Sequence, residues 1–190
     1  MQNGQISNQS ITASSHHFNY PPWGGRLNSG MAKSWYAVAE DANPWIQVDL
    51  GRLTWLRGVV TQGKMFTLFV KTYKLVYSSD EVTWFVYREP DTKVDKVMSS
   101  TSPICTLLVY PSPPDTPCST TQKYKSTSLL MTAVCVIFFI EQIFKGNTDP
   151  YKAVKVELLK PVYTRYVRLY PQSWEDGVAL KLELFGCRPE

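Results

Sequence analysis

The run Trp45-Ile46-Gln47-Val48-Asp49-Leu50-Gly51 constrains the fold more than any other stretch of this chain. Trp45, Gln47 and Asp49 alternate with Ile46, Val48 and Leu50, and that period of two gives a strand with two distinct faces. Gly51 is expected to end it. A second run, Gly58-Val59-Val60-Thr61-Gln62-Gly63, is short, β-branched and again closed by Gly. Joined by a basic connection from Arg52 to Arg57, the two runs read as an antiparallel pair to which further strands are added.

Those further strands come at regular intervals. Ile11–Ser15 has the length of a short edge strand. Val70–Tyr77 is followed by Ser78-Ser79-Asp80, whose short polar side chains bond their own backbone in turns, and Thr83–Arg88 is expected to pair back as a hairpin. Ala153–Leu158, Tyr163–Tyr170 and Val178–Phe185 complete the set. The last two alternate cleanly, as in Leu180, Leu182 and Leu184 against Lys181, Glu183 and Phe185. Aromatic residues reach 13% and 13 prolines punctuate the chain, which is strand-and-turn chemistry. With 190 residues, 44% of them hydrophobic, there is material for one substantial core, and the pattern predicts an all-β sandwich or barrel.

Three loops are unusually apolar. His16–Gly25 holds two prolines and two glycines, which speak against a regular element, yet carries Phe18, Tyr20 and Trp23. Met31–Asn43 follows the turn Asn28-Ser29-Gly30 and contains Trp35 and Tyr36. Lys64–Phe69 precedes the strand at Val70. Aromatics on such loops either fold back into the core or present themselves for binding.

Residues 97–142 differ in texture. The segment is rich in Ser and Thr, has five prolines (Pro103, Pro111, Pro113, Pro114 and Pro117) and carries Cys105, Cys118 and Cys135. Its apolar stretch, Leu129 to Ile140, is 12 residues long, short of the roughly 20 that span a bilayer. It is expected to be a largely irregular insertion.

Several function classes find no support in the residues. A net charge of +4 is too small and too dispersed for a nucleic-acid footprint. None of the four cysteines forms a Cys-x-x-Cys pair, so no metal is expected, and no cofactor motif occurs. His16-His17 point to opposite sides of an extended chain, and Glu40-Asp41 and Glu175-Asp176 sit in turns. No nucleophile elbow, phosphate loop or zinc-protease motif is present, so no catalytic residue is assigned and an enzyme is not expected. Arg26, Asp49, Arg165, Arg168 and Glu183, in or beside strands, read as charges paired across a sheet. Met1-Gln2-Asn3-Gly4-Gln5 lacks a signal-peptide pattern, which fits a cytosolic protein or a module of a longer secreted chain. Asn8-Gln9-Ser10 is an N-glycosylation sequon.

Gln9-Ser10-Ile11-Thr12-Ala13-Ser14-Ser15, Arg26-Leu27-Asn28, Trp45–Gly51 and Thr61-Gln62-Gly63 together resemble, in order, the discoidin domains, the coagulation factor V/VIII type C family. The resemblance continues through Tyr73-Lys74-Leu75-Val76-Tyr77-Ser78, Trp84 and Phe144-Lys145-Gly146-Asn147-Thr148-Asp149. It ends with Thr164–Leu169, Trp174 and Leu182–Cys187, and so covers the chain except 97–142. It implies a single discoidin-like antiparallel β-sandwich, or jelly-roll barrel, over 1–190 with an atypical insertion at 97–142. Deleting the insertion joins Val94-Asp95-Lys96 to Ile143-Phe144-Lys145 as an uninterrupted strand and turn, which fits a retained intron or a gene-model artefact. The family ties its C-terminal Cys, here Cys187, to one lying before the position of Met1. That partner is missing from this sequence, and a clasp worth about 4–5 kcal/mol is lost unless Cys105, Cys118 or Cys135 substitutes. Met1 is accordingly expected to be an internal residue of a larger multidomain chain.

The resemblance also gives the loops a role. In the relatives the equivalents of His16–Gly25, Gly30–Trp35 and Lys64–Phe69 form one end of the barrel and contact phosphatidylserine membranes, collagen, glycans or proteins. It implies ligand contacts from Phe18, Tyr20, Trp23, Met31, Lys33, Lys64, Met65 and Phe66, with Trp23, Trp35 and Phe69 closer to framework. Asp41 falls where neuropilins place the acid of a C-terminal-Arg pocket, making it a candidate polar contact. Tyr36 stands where that pocket has Thr, and Lys64–Phe69 is too short to complete it. The expectation is a non-catalytic extracellular recognition or adhesion module for a cell-surface or matrix ligand, whether phospholipid, glycan, collagen or receptor protein, and not for nucleic acid. The alternative is a structural spacer whose loops pack on a neighbouring domain.

Overall fold

The computed structural model describes Met1 and residues 4–30, 32–89 and 142–187. The insertion expected at 97–142 lies outside the described residues apart from Gln142, as do Met31, Cys105, Cys118 and Cys135. Eight strands follow in order among the described residues: β1 (Ile11–Ala13), β2 (Trp35–Tyr36), β3 (Ile46–Gln62), β4 (Phe69–Ser78), β5 (Phe85–Val86), β6 (Phe144–Lys145), β7 (Val154–Glu175) and β8 (Ala179–Cys187). The path β2-β8-β3-β7-β4-β5 is hydrogen-bonded throughout, with β1 on β3 and β6 on β4, and every pairing of these strands among the described residues is antiparallel. This is the expected all-β sandwich.

The central pair differs from the expectation. Gly51 does not end a strand and Arg52–Arg57 is not a connection: both lie inside β3, whose 17 residues take in all of the two runs but Trp45 and Gly63. The runs do not pair with each other. Each pairs instead with β7, and the second also with β8. Gly51 is the reason, because its φ of +77° turns the backbone without leaving the sheet, and Asp49 Oδ1 accepts the Gly51 N–H at 2.7 Å. From Asp49 to Thr54 β3 spends five steps where β7 spends two, from Tyr166 to Thr164. From Leu56 to Gly58 the excess reverses, and β7 carries the extra residues between Val162 and Glu157. Pro161 lies in that excess, where a missing N–H costs no ladder bond. For this reason Ala153–Leu158 and Tyr163–Tyr170, expected as separate strands, form one.

These irregular stretches let β3 leave one end of the sandwich and return to it. Ile46 pairs with Ala13, and Gln62 pairs with Lys181 beside Leu180, the partner of Trp35. The two ends meet at Gly25: a Cβ there would lie 3.1 Å from Leu180 O and from Trp35 Cβ, and 3.3 Å from Ile46 Cδ1. The loops after β1, before β2 and after β3 therefore gather at one end.

Trp35, Ile46, Val48, Tyr73, Leu169 and Leu180 form the heart of the core. Of the strand charges expected to pair across the sheet, Asp49 and Arg165 do so, while Arg26 and Arg168 are held by neutral groups instead. Arg165 Nε and Nη2 donate to the two Asp49 oxygens at 2.8 and 2.9 Å, which holds the Asp49 carboxyl below its ordinary range. Arg168 lies between the rings of Trp84 (3.9 Å) and Trp45 (4.4 Å) and donates from Nε to Gln47 Oε1 at 2.6 Å. Lys181 is buried, and desolvation lowers its pKa. Cys187 is exposed and forms no disulfide among the described residues.

Candidate ligand-binding loops

The first loop, His16–Gly25, is moulded on β2. His17 N–H donates to Tyr36 O at 2.8 Å and Tyr20 N–H to His17 O at 2.9 Å, so the chain reverses over Tyr36. The His17 ring stacks on Tyr36 with centroids 4.6 Å apart. The reversal leaves Phe18 and Asn19 at the tip, with Phe18 94% exposed. Its base is pinned by Trp35, fully buried, whose Nε1 donates to Ser15 O at 2.8 Å. Contrary to the sequence expectation, Pro22–Gly25 does form a regular element, a single 3₁₀ turn. One turn needs no further N–H from Pro22 at its start, and the two glycines let the backbone press against Ser34 and Leu180. Trp23 on this turn is exposed on its outer part.

The third loop is closed by Lys64 N–H donating to Leu68 O at 2.8 Å. Phe66 sits at its tip with φ +70°, a left-handed conformation uncommon for a bulky residue, and is 69% exposed. Met65 beside it is half-buried. Thr67 Oγ1 donates to Asp176 Oδ2, tying this loop to the turn between β7 and β8. Lys64 is not at the surface. Only 6% of it is exposed, and its Nζ sits 3.2 Å from the centroid of Tyr20 and 5.2 Å from that of Tyr36. A side chain from the third loop thus clamps an aromatic of the first.

In the second loop, Lys33 is exposed and its N–H donates to Gly30 O at 3.3 Å, while Met31 is outside the described residues. Asp41 is engaged internally. It accepts from Ser14 Oγ at 2.5 Å, Ser15 Oγ at 2.6 Å and Asn43 N–H at 3.1 Å. Burial alone would raise its pKa, and these three hydrogen bonds bring it below the ordinary value. The carboxylate braces the end of β1 against the loop after β2.

Of the residues singled out in the sequence, Tyr20 and Lys64 are in contact, while Phe18, Phe66, Lys33 and part of Trp23 project outward. His17, Tyr36 and Asp176, given no part in the site by the sequence, belong to the scaffold of the loops. His17 could have been found from its position beside Phe18; Asp176 lies 109 residues from Thr67, and no local signal links them. No group of three or more His, Cys, Asp or Glu side chains able to hold a metal occurs among the described residues.

Comparison with known proteins agrees with this architecture. The chain is 30% identical to bovine coagulation factor V across 98% of its own length, but spans only 7% of that protein. The fold matches discoidin II of Dictyostelium discoideum with a TM-score of 0.65 at 16% identity, covering 100% of this chain and 58% of that one. The family 32 CBM from C. perfringens NanJ, solved in complex with galactose, matches with a TM-score of 0.55 at 8% identity, covering 94% of this chain and 96% of that one. The F5/8 type C domain is the family whose model matches, over residues 10–105. With antiparallel strands carrying the ordered motifs, and apolar loops gathered at one end of the sandwich, the chain belongs to the F5/8 type C, or discoidin, domain family.

Proposed function

We propose that the chain is a non-catalytic extracellular recognition module that holds a cell-surface or matrix ligand against the loop end of its sandwich. The observation that carries this reading is the pair Phe18 and Phe66. They are the most exposed large apolar side chains of two loops clamped to one another through Lys64 and Tyr20. A large apolar side chain left exposed on a braced loop has no stabilising role in the fold and is available to enter a lipid interface or an apolar face of a ligand. Lys33, exposed on the second loop, adds a cation suited to an anionic lipid surface. The galactose complex of the NanJ module supports a glycan as a second ligand class on the same architecture. Factor V, of which the chain matches a small part, supports an extracellular setting within a larger protein.

A spacer whose loops pack on a neighbouring domain would also leave Phe18 and Phe66 exposed in the isolated chain, so ligand binding is what separates the two readings. The test is co-sedimentation with phosphatidylserine vesicles, alongside glycan-array and collagen binding, of the wild type and of Phe18→Ala/Phe66→Ala. Full burial of a Phe is worth about 1.5–3 kcal/mol, so the double variant is expected to bind its ligand about 10²–10⁴-fold more weakly with unchanged thermal stability. Equal binding by both proteins on every surface refutes the reading.

A further inference from the structure

The sequon Asn8-Gln9-Ser10 is not used by the loop site, and the fold leaves Asn8 exposed and able to carry a modification. Ser7, Asn8 and Gln9 are all exposed, on a 3₁₀ turn that precedes β1. Asn8 Oδ1 accepts from Arg26 Nη2 at 3.0 Å. The amide nitrogen, Nδ2, donates to no acceptor among the described residues. The bond to Arg26 uses the half of the amide that glycosylation leaves intact, and the half that would be substituted meets no acceptor among the described residues.

From this arrangement we infer that Asn8 is an N-glycosylation site, modified from a polyprenyl-diphosphate-linked oligosaccharide. The inference rests on the extracellular setting proposed above. In the transfer, Asn8 Nδ2 forms a bond to the anomeric carbon of the first sugar and loses one proton. The bond from that carbon to the diphosphate oxygen breaks, and the polyprenyl diphosphate leaves with the electron pair. No oxidant or reductant takes part. Ser10 supplies the hydroxyl of the acceptor triplet.

The native fold accommodates the product. Modification precedes folding, so the glycosylated chain must still form the 3₁₀ turn. The contacts that shape the turn all survive substitution at Nδ2. They are Ser10 N–H to Ser7 Oγ at 3.2 Å, the Ser7–Ser10 hydroxyl pair at 2.9 Å and the Ile11 N–H bond to Asn8 O. Asn8 precedes the first pair of β1, Ile11 with Val48, whereas the aromatic loop departs after its last pair, Ala13 with Ile46.

The test expresses the full chain behind a cleavable secretion leader in glycosylating cells, which poses the question of Asn8 whether or not the native protein is secreted. Peptide mass spectrometry of both secreted and cell-associated protein is expected to find an N-acetylhexosamine-based glycan on Asn8. Peptide N-glycosidase is expected to convert that residue to Asp, and Asn8→Gln and Ser10→Ala to abolish the modification. Ser10→Thr, which keeps the hydroxyl, retains it and controls for misfolding. Unmodified Asn8 in correctly folded protein overturns the inference. Vesicle and glycan binding measured on the Asn8→Gln protein, expected to equal wild type, keeps failure of the loop reading separate.

Discussion

Replacing Lys64 with Met keeps most of the side-chain volume and removes the charge that clamps the first loop to the third. A cation over an aromatic face contributes about 0.5–1 kcal/mol at the surface and about 2 kcal/mol when desolvated. Lys64 is 6% exposed and its Nζ lies 3.2 Å from the Tyr20 centroid, so the upper figure applies. Tyr36, at 5.2 Å, retains part of the interaction when Tyr20 is removed. A double-mutant cycle of Lys64→Met and Tyr20→Leu, read by urea unfolding, is therefore expected to give a coupling of about 1–2 kcal/mol. In a domain of this size 1 kcal/mol moves Tm by about 2–4 °C, so Lys64→Met alone is expected to lower Tm by about 4–8 °C. A coupling below about 0.3 kcal/mol would show that the two loops are held by their backbone bonds alone, and the clamp would be discarded.

Two further predictions concern the scaffold. Asp49 has a folded pKa below its unfolded value, chiefly through its hydrogen bond from Arg165. The stability it contributes is therefore present above about pH 4 and is lost as pH falls through the lower, folded value. Asp49→Asn is expected to flatten this part of the acid limb when urea midpoints are followed from about pH 5 to pH 2, and an unchanged slope would assign the acid sensitivity elsewhere. At Gly58 an added Cβ would lie 2.3 Å from Val156 O and 2.3 Å from Phe185 Cζ, and the backbone oxygen has little freedom to withdraw. Gly58→Ala is expected to destabilise by about 1–3 kcal/mol or more, whereas a neutral urea midpoint would mean that β3 and β7 separate there without cost.

The strands were legible because alternation is a local property. Trp45–Leu50 and Leu180–Phe185 show two faces whatever they later pair with, and the structure puts Ile46, Val48, Leu180 and Leu182 in the core as their period requires. The turn at Ser78–Asp80 was legible for the same reason. Its Ser and Asp side chains bond backbone groups within three residues, and those N–H donors hold Asp80 down to about pKa 2. What Gly51 does was not legible. A glycine ends a strand or bends it according to whether a partner continues beyond it, and that partner, β7, lies more than a hundred residues away.

The same division runs through the loop site. Sequence alone determined that three apolar loops interrupt an antiparallel sandwich, because strand period, turn chemistry and the sizes of Phe18, Tyr20 and Phe66 are written residue by residue. Only the tertiary structure decided which of these side chains face solvent. Lys64 and Phe66 are two residues apart in one loop, yet one is buried on an aromatic ring and the other stands clear. Asp41 has its charge taken up by two serines that reach it across about 26 residues. Exposure and charge pairing are properties of what lies opposite a side chain, and in an all-β fold the opposite strand is set by long-range register rather than by the neighbouring sequence.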